Sequence, residues 1–184
     1  MKFKNFRIKE TGEKDLKDIY DVQARAFGYE KEAILTSELI ADKTAMPCVS
    51  LLAFYEDKPV GHILFTRVYI EDRNNTPLAH ILAPLAVKPE YQKQGIGGKL
   101  ILEGIKKLKK IKSEMVFVLG HMEYYPRYGF IPDAGKLGFE APYPIPTEFA
   151  NAWMVQEVRP EGLNVKKGKI ICADALDKPE HWRE

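Results

Sequence analysis

The spacing of apolar side chains predicts a short strand and two amphipathic helices at the start of the chain. Phe6–Lys9 alternates apolar and polar residues, as a half-buried strand does. In Asp15–Phe27 the apolar positions recur three and four residues apart, so that they share one face of a helix. Gly28 follows, and glycine commonly ends a helix. Lys31–Ala41 has the same spacing, and we expect both helices to cover a sheet.

The middle of the chain changes to segments rich in β-branched and aromatic residues, which predict strands. Val49–Tyr55 and Val60–Ile70 are separated by the short polar turn at residues 56–59, as in a β-hairpin. After the turn cluster at residues 72–77, His80–Val87 is apolar on both faces, which is typical of a central strand. The three strands predict an antiparallel meander.

A further helix and strand follow the meander. Gly97–Lys112 has apolar residues on one face and most of its lysines elsewhere, as a helix packed against a sheet does. Met115–Leu119 has the composition of a buried strand. Because the helix connects His80–Val87 to Met115–Leu119, we expect these two strands to be parallel.

The last part of the chain combines a proline-rich loop with closing strands. Five prolines at positions 126, 132, 142, 144 and 146 predict an ordered, stiff loop. Trp153–Val158 and Lys169–Ala173 have the composition of strands. The predicted fold is therefore of the α/β (α+β) class, with a mixed, mostly antiparallel sheet of about six to seven strands flanked by helices.

Length and composition indicate a globular protein with one domain over residues 1–184. A chain of 184 residues with 45% hydrophobic and 29% charged residues can bury a sizeable core. The longest apolar runs, Val49–Tyr55 and Ile81–Val87, are far shorter than the roughly 20 residues that span a bilayer. Met1–Asn5 has no apolar segment behind it, unlike a secretory signal. We therefore predict a cytoplasmic protein without membrane contact.

Cysteines and net charge exclude several further classes of protein. Cys48 and Cys172 are too few and too far apart for a disulfide framework or a zinc site, and we predict no metal. The net charge of +2 gives no general case for nucleic-acid binding. One local imbalance stands out, because residues 88–112 contain eight lysines and only two glutamates.

The glycine-rich segment from Gly95 to Gly98 lies between a buried strand and a helix start. Unpaired N–H groups and the helix dipole favour an anion there, and glycine lets the main chain approach a phosphate. In a Walker loop, Lys93 would occupy the first glycine position and Leu100 the hydroxyl position. In the dinucleotide fingerprint, Leu100 would replace the third glycine. Both loops are excluded, which leaves another phosphate site or a helix start without a ligand.

The motif Q-x-x-G-x-G does fit, at Gln92, Gly95 and Gly97, and here the sequence resembles the GNAT acetyltransferases. The preceding residues Leu85–Gln92 are similar to that family's strand and loop. Downstream, Tyr125–Phe130 resembles its second signature, Y-x-x-x-G-F. Two motifs in the correct order are much more specific than one.

The order of elements also agrees with this family, so the resemblance covers nearly the whole chain. Gly120–Phe130 and Ala152–Val155 are most similar to a YhbS-like bacterial subgroup of predicted N-acetyltransferases. The resemblance implies a GNAT-like sheet with a β-loop-α site for acyl-CoA, and acetyl-CoA as co-substrate. It implies that the cofactor is held at Leu85, Ala86, Val87, Gln92, Lys93, Gln94, Gly95, Ile96, Gly97, Gly98 and Lys99.

The chemistry of acetyl transfer requires a base and an acid. An alkylammonium near pKa 10.4 must lose a proton before it can attack, and the departing thiolate must gain one. The resemblance implies that Tyr125 is the general acid. For the base the sequence leaves several candidates open, each of which can equally be a structural residue: His62, His80, His121 and Glu123.

We expect the acceptor pocket to come from the early helices and the proline-rich loop. The aromatic residues that we predict as its walls, any of which can instead belong to the core, are Phe27, Tyr29, Phe139, Tyr143 and Trp153.

The sequence thus predicts an N-acetyltransferase that acts by direct attack of a primary amine on acetyl-CoA in a ternary complex. No Cys or Ser motif marks a covalent intermediate. The acceptor is a small-molecule or peptide amine, and the protein is a monomer or homodimer. The alternative is a non-catalytic acyl-CoA-binding sensor or interaction domain. We predict no nucleic-acid partner, because the lysine excess lies where CoA phosphates would bind.

Overall fold

Eight strands and three α-helices form the fold in a computed structural model, which describes residues 5–183. All the predicted helices and strands are present, with ends shifted by at most two residues. One further strand, β6, was not predicted from the sequence. The elements are β1 (Phe6–Glu10), α1 (Leu16–Phe27), α2 (Lys31–Ala41), β2 (Val49–Tyr55), β3 (Lys58–Ile70), β4 (Ala79–Val87), α3 (Ile96–Lys110), β5 (Met115–Leu119), β6 (Phe139–Glu140), β7 (Trp153–Glu157) and β8 (Gly168–Ile171).

The local signals at the ends of α1 and β2 act as predicted. Gly28 has a left-handed conformation with φ 77°, and its N–H donates to the carbonyl of Ala24, which ends α1. At the β2–β3 hairpin, Glu56 and Asp57 both have positive φ, at 47° and 63°. Two such residues make the tight turn whose twist matches that of paired strands. The hairpin prediction is confirmed.

The main sheet has the strand order β1-β2-β3-β4-β5-β7. Strands β1 to β4 pair antiparallel in sequence, which is the predicted meander. Strand β5 pairs parallel with β4, through Ala79–Ile81 and Met115–Phe117, and antiparallel with β7. The predicted crossover through α3 and the mixed, mostly antiparallel sheet are confirmed.

The end of the chain pairs differently from a simple closing strand. Strand β8 pairs with Tyr69 and Ile70 at the far end of β3 and, on its other side, with β6. The proline-rich segment therefore contains the two-residue strand β6 in addition to turns. Its order comes from this pairing and from the Trp153 side chain, which donates to the carbonyl of Phe139 at 2.9 Å.

The sheet separates two apolar layers. Helix α3 packs on one face, where Leu100 and Leu108 meet β-strand residues such as Val116. On the opposite face, Leu39 of α2 packs with Phe117 and with the last strands. Neighbouring residues of β5 thus serve opposite layers, as alternation in a strand requires. None of the helices in residues 5–183 has the length and apolar character that crossing a bilayer requires.

Candidate active site

A gap between β4 and β5 is the first feature of the candidate site. The two strands stay paired over only three residues of each. The register of β3 with β4 shifts between Ile63 and Phe65, where β4 has one residue more than β3. Such a bulge bends a strand, and Pro84, which lies in it, has no N–H to give to a neighbour. In the part of the chain that the structure describes, β4 beyond Leu82 pairs with β3 alone, so its other edge faces the gap.

Main-chain N–H groups collect at the start of α3, beside this gap. Gly95, with a left-handed φ of 84°, precedes α3, and Lys93 also has a positive φ, of 59°. Counting from Lys93 toward the helix, the first N–H with an acceptor is that of Lys99, which donates to the carbonyl of Gly95 at 3.1 Å. Among residues 5–183, no acceptor pairs with the N–H groups of residues 93–98. Such a run of free donors at a helix N-terminus is suited to an anion.

The side chains of the loop support its backbone. Gln92 Nε2 donates to the carbonyl of Val87 at 2.9 Å, which joins the loop to the end of β4. Gln94 Nε2 donates to the carbonyl of Glu90 at 3.2 Å. Both glutamine side chains thus hold the loop through carbonyl oxygens, and they do not use the N–H groups of residues 93–98, which remain free to bind a ligand.

The lysines of this region have different surroundings. Lys88 is buried and pairs with Asp21 at 2.6 Å, so its charge is already matched. The ammonium of Lys99 lies 4.7 Å from the centre of the Phe6 ring, toward β1. Lys93 is exposed in the loop and has no ion pair within the described residues. Of the cations predicted to attract phosphate, Lys93 is therefore the one that lies in the loop with an unmatched charge.

Two glycines of α3 allow close contact with tyrosines. A Cβ atom on Gly97 would lie 2.5 Å from the hydroxyl oxygen of Tyr124 and 3.6 Å from a methyl group of Leu85. A Cβ atom on Gly98 would collide with the hydroxyl of Tyr128. The sequence argument considered only phosphate as the reason for glycine here, and it gave these two tyrosines no part in the cofactor site. Their spacing of four residues, which puts them on one side of a helical turn, was the available signal.

Tyr125 lies on the other side of this tyrosine segment. Its ring occupies the space beside Gly120, where a Cβ would approach to 2.5 Å, and it packs edge-on against Phe130 with ring centres 5.6 Å apart. The side chain is almost entirely buried, and burial raises the pKa of its hydroxyl to about 12. No hydrogen bond to the described residues holds this hydroxyl, which therefore remains protonated and available as a donor.

His62, one candidate base, is enclosed under α1. Its Nδ1 lies 2.8 Å from Nε2 of Gln23, and its Nε2 lies 2.9 Å from the hydroxyl of Ser50. Burial lowers the pKa of His62 to about 3, so the imidazole is neutral. Ser50 also accepts a hydrogen bond from Thr11 at 2.7 Å. The network has the character of a structural histidine with both nitrogens occupied.

The remaining base candidates divide into one buried and two exposed residues. His80 has Ser113 at 2.8 Å from Nδ1 and the carbonyl of Pro47 at 2.8 Å from Nε2, and burial lowers its pKa to about 4. His121 and Glu123 are exposed beside Tyr124, in a shallow groove at the end of β5. Of the four candidates, these two are the ones exposed at the surface.

The five aromatic residues predicted to line the acceptor pocket fall into two separate groups. Phe27 and Tyr29 contact each other at the end of α1, with ring centres 6.3 Å apart. Tyr143 and Trp153 line a cleft of about 370 Å³ beside β7. Phe139 is fully buried between them and the core, where it packs on Phe117. The structure thus brings together the second pair but not all five.

Residues 5–183 contain no cluster of three or more His, Cys, Asp or Glu side chains that could hold a metal ion.

Comparisons with known proteins agree with the geometry. The family model of the acetyltransferase (GNAT) domain matches residues 7–132, more than half of the chain. The uncharacterized N-acetyltransferase YjhQ of Escherichia coli K12 is 51% identical over 170 residues, which cover 92% of this chain and 93% of YjhQ. The uncharacterized N-acetyltransferase YhbS of the same strain is 29% identical over 107 residues, 58% of this chain and 62% of YhbS.

Solved structures share the whole fold. The Escherichia coli YhbS structure in complex with CoA has a TM-score of 0.83 at 24% identity and covers 94% of this chain and 92% of its own. A GNAT family acetyltransferase from Brucella melitensis in complex with acetyl-CoA has a TM-score of 0.74 at 26% identity. The match covers 94% of this chain and 99% of the Brucella chain. Sequence and fold therefore agree that the chain belongs to the GNAT family of N-acetyltransferases.

Proposed function

We propose that this chain binds acetyl-CoA along the gap between β4 and β5 and transfers its acetyl group directly to a primary amine. The observation that carries the proposal is the set of free N–H groups at residues 93–98, beside the gap between β4 and β5, with the Tyr125 ring packed against Gly120 just after β5. The complexes of YhbS with CoA and of the Brucella protein with acetyl-CoA support the choice of ligand.

The diphosphate of the cofactor fits the start of α3. The free N–H groups of residues 93–98 supply donors, and the start of the helix adds the positive end of its dipole, which together stabilise a phosphate without side-chain charge. The N–H groups of Gln92 and Lys99 already donate to the carbonyls of Pro89 and Gly95. The exposed Lys93 adds a mobile positive charge at the entrance. We therefore assign the loop to the diphosphate.

The pantetheine arm then follows the free edge of β4. Leu85, Ala86 and Val87 pair with β3 on one side, and their other main-chain groups face the gap. One N–H there would polarise the thioester carbonyl and stabilise the negative charge that develops on attack. Because this part of the site consists of backbone, its side chains are free to form the core.

Tyr125 is the proposed general acid for the departing thiolate. Its pKa of about 12 keeps the hydroxyl protonated until the thiolate forms. The proton of the attacking ammonium leaves through His121, Glu123 or water, since His62 and His80 are buried and already have partners at both nitrogens. The reaction forms the N–C bond and breaks the C–S bond. Of the two protons that the nitrogen loses, the first leaves before the attack, and the second restores the proton that Tyr125 gives to sulfur.

Direct attack also agrees with the state of the two thiols. Burial raises the pKa of Cys48, and it raises that of Cys172 to about 12. Cys172 is buried and Cys48 is half-buried, and a thiol that stays protonated is a poor nucleophile. A burst of acetylated enzyme without acceptor would contradict the direct mechanism.

The acceptor amine would bind against one of the two aromatic groups. The cleft at Tyr143 and Trp153 also contains the exposed carboxylate of Glu140, which would attract an ammonium. The other group, Phe27 and Tyr29, lies at the end of α1, and the neighbouring Ala26 and Phe27 pack near Ala86 of β4. An acceptor between α1 and β4 would approach the thioester directly.

The proposal is tested by thiol release from acetyl-CoA with a panel of amines, peptides and aminoglycosides, using the wild type and Tyr125→Phe. We expect release that depends on an amine and falls strongly in the variant. Tight CoA binding without turnover on any amine would instead support the non-catalytic acyl-CoA sensor.

A further inference from the structure

Tyr124 has a position that the proposed mechanism does not use. Its hydroxyl oxygen lies 2.5 Å from the place that a Cβ of residue 97 would occupy, and a methyl group of Leu85 in β4 lies 3.6 Å from the same place. The hydroxyl therefore packs against the first turn of α3, on the side of the helix that β4 approaches. Because a Cα–Cβ bond tilts toward the N-terminus of its helix, the hydroxyl lies on the side of Gly97 that faces the free N–H groups.

A second tyrosine holds this hydroxyl in place. Tyr128 is hydrogen-bonded to Tyr124, and its own hydroxyl occupies the space beside Gly98. The two rings pack edge-on with centres 5.2 Å apart, and the ring of Tyr124 packs in the same way on Tyr125. Two ring contacts and two glycines thus fix a pair of hydroxyls against the first turn of the helix.

The chemistry of this position suits an anion. The hydroxyl of Tyr124 is half-buried, and burial, followed by the nearby Tyr128, raises its pKa, so it stays protonated. A protonated hydroxyl beside free N–H groups is one more donor for the same phosphate oxygens. Without a ligand this hydroxyl donates to Tyr128, since their hydrogen bond raises the pKa of Tyr124. When a phosphate binds, the hydroxyl of Tyr124 can turn its proton to the phosphate and accept a hydrogen bond from Tyr128 instead.

We infer that Tyr124 donates a hydrogen bond from its hydroxyl to the diphosphate of acyl-CoA at the first turn of α3, with Tyr128 as the residue that positions it. The inference rests on the proposed function, because it requires the diphosphate to bind at residues 93–98. The two adjacent tyrosines then have different tasks: Tyr124 binds the diphosphate, and Tyr125 donates a proton at the thioester.

The test compares Tyr124→Phe with the wild type for three ligands: CoA, dephospho-CoA and pantetheine. The substitution keeps the ring and removes only the hydroxyl. Kd values are measured by NMR chemical-shift titration, which also covers weak binding. A hydrogen bond to a charged group predicts a loss of about ten-fold for CoA and dephospho-CoA, which carry the diphosphate, and less than about two-fold for pantetheine, which lacks it.

Tyr128→Phe is the matched control, since it also keeps its ring and loses a hydroxyl at the same helix turn. We expect a smaller loss, about three-fold, with the same preference for ligands that carry the diphosphate. Equal losses for pantetheine and CoA, or no loss in Tyr124→Phe, would overturn the inference. Failure of the wild type to bind CoA would overturn the proposed function itself, so the two failures are distinguishable.

Discussion

On the α3 side of the sheet, the polar groups of residues 93–98 are main-chain donors without acceptors, whereas on the α1 side His62 has a partner at each ring nitrogen. The first arrangement is open at the surface, and the second is closed under a helix. Unpaired N–H donors at a helix start are suited to bind a ligand that accepts their hydrogen bonds. A closed hydrogen-bond network needs no ligand and contributes to the stability of the fold.

The same contrast separates the tyrosines from the histidines as titratable groups. Burial raises the pKa of Tyr125 and keeps it a proton donor, while burial lowers the pKa of His62 and His80 and keeps them neutral. A group can catalyse only if substrate reaches it. We therefore expect substitutions of the open loop and of Tyr125 on the α3 side to change binding or catalysis, and those of the closed histidine networks to change stability.

The largest expected effect is on kcat in Tyr125→Phe. General-acid catalysis contributes about 10²- to 10⁴-fold, so we expect kcat to fall at least about 100-fold. The Kd for CoA should change little, because the ring and its packing on Phe130 remain. Steady-state kinetics and CoA titration measure the two quantities separately. A variant with wild-type kcat would remove Tyr125 from the chemistry and leave the α3 side as a binding surface only.

The next effect concerns the closed network and the free energy of unfolding. In His62→Leu, the amide of Gln23 and the hydroxyl of Ser50 each lose a buried partner. We expect a loss of about 3 kcal/mol in urea unfolding, with kcat of the folded enzyme unchanged. His121→Ala, at an exposed position, is the control and should cost less than about 0.5 kcal/mol. A large fall in kcat for His62→Leu would show that the network takes part in the reaction.

A smaller effect follows from pH. The pKa values of about 3 for His62 and about 4 for His80 lie below the ordinary value of 6.5, so the unfolded chain takes up these protons first as pH falls. Stability from these groups is therefore complete above about pH 6.5 and is lost progressively as pH falls toward the folded values. Between pH 7 and pH 5, each histidine should lower the free energy of unfolding by about 2 kcal/mol.

Urea unfolding at a series of pH values measures this loss. In His62→Leu the pH dependence between pH 7 and pH 5 should be about 2 kcal/mol weaker than in the wild type, because only His80 of this pair remains. An unchanged slope would mean that His62 is protonated to the same extent in the folded and unfolded chain.

Much of the fold could be predicted from periodicity, because strands and amphipathic helices each repeat a local pattern. Two spaced motifs also led to the loop that we propose for the diphosphate and to Tyr125. Contacts between distant segments could not be predicted in this way. Gly97 and Tyr124 are 27 positions apart in the chain, and no local pattern shows that a hydroxyl of one segment fills the place of a Cβ in the other.

The candidate bases and acceptor walls show the same limit. His62 and His121 are the same residue type near the predicted cleft, yet one is buried between α1 and the sheet and the other is exposed. Burial depends on the packing of whole elements and not on neighbours in sequence. For the same reason, Phe139 is part of the core while Tyr143, four residues later, lines a cleft.

The smallest expected effect separates two glutamines of the loop. Gln92 links it to Val87 at the end of β4 through a hydrogen bond of 2.9 Å, whereas Gln94 bonds to Glu90 within the loop at 3.2 Å. Because Gln92 fixes the free N–H groups relative to the edge of β4, Gln92→Ala should weaken acetyl-CoA binding about three-fold with kcat unchanged. Gln94→Ala should change Kd by less than two-fold, roughly the reproducibility of such a titration. Equal effects in the two variants would mean that the loop holds its shape through its backbone alone, and the open donors of the α3 side would then be rigid without side-chain support.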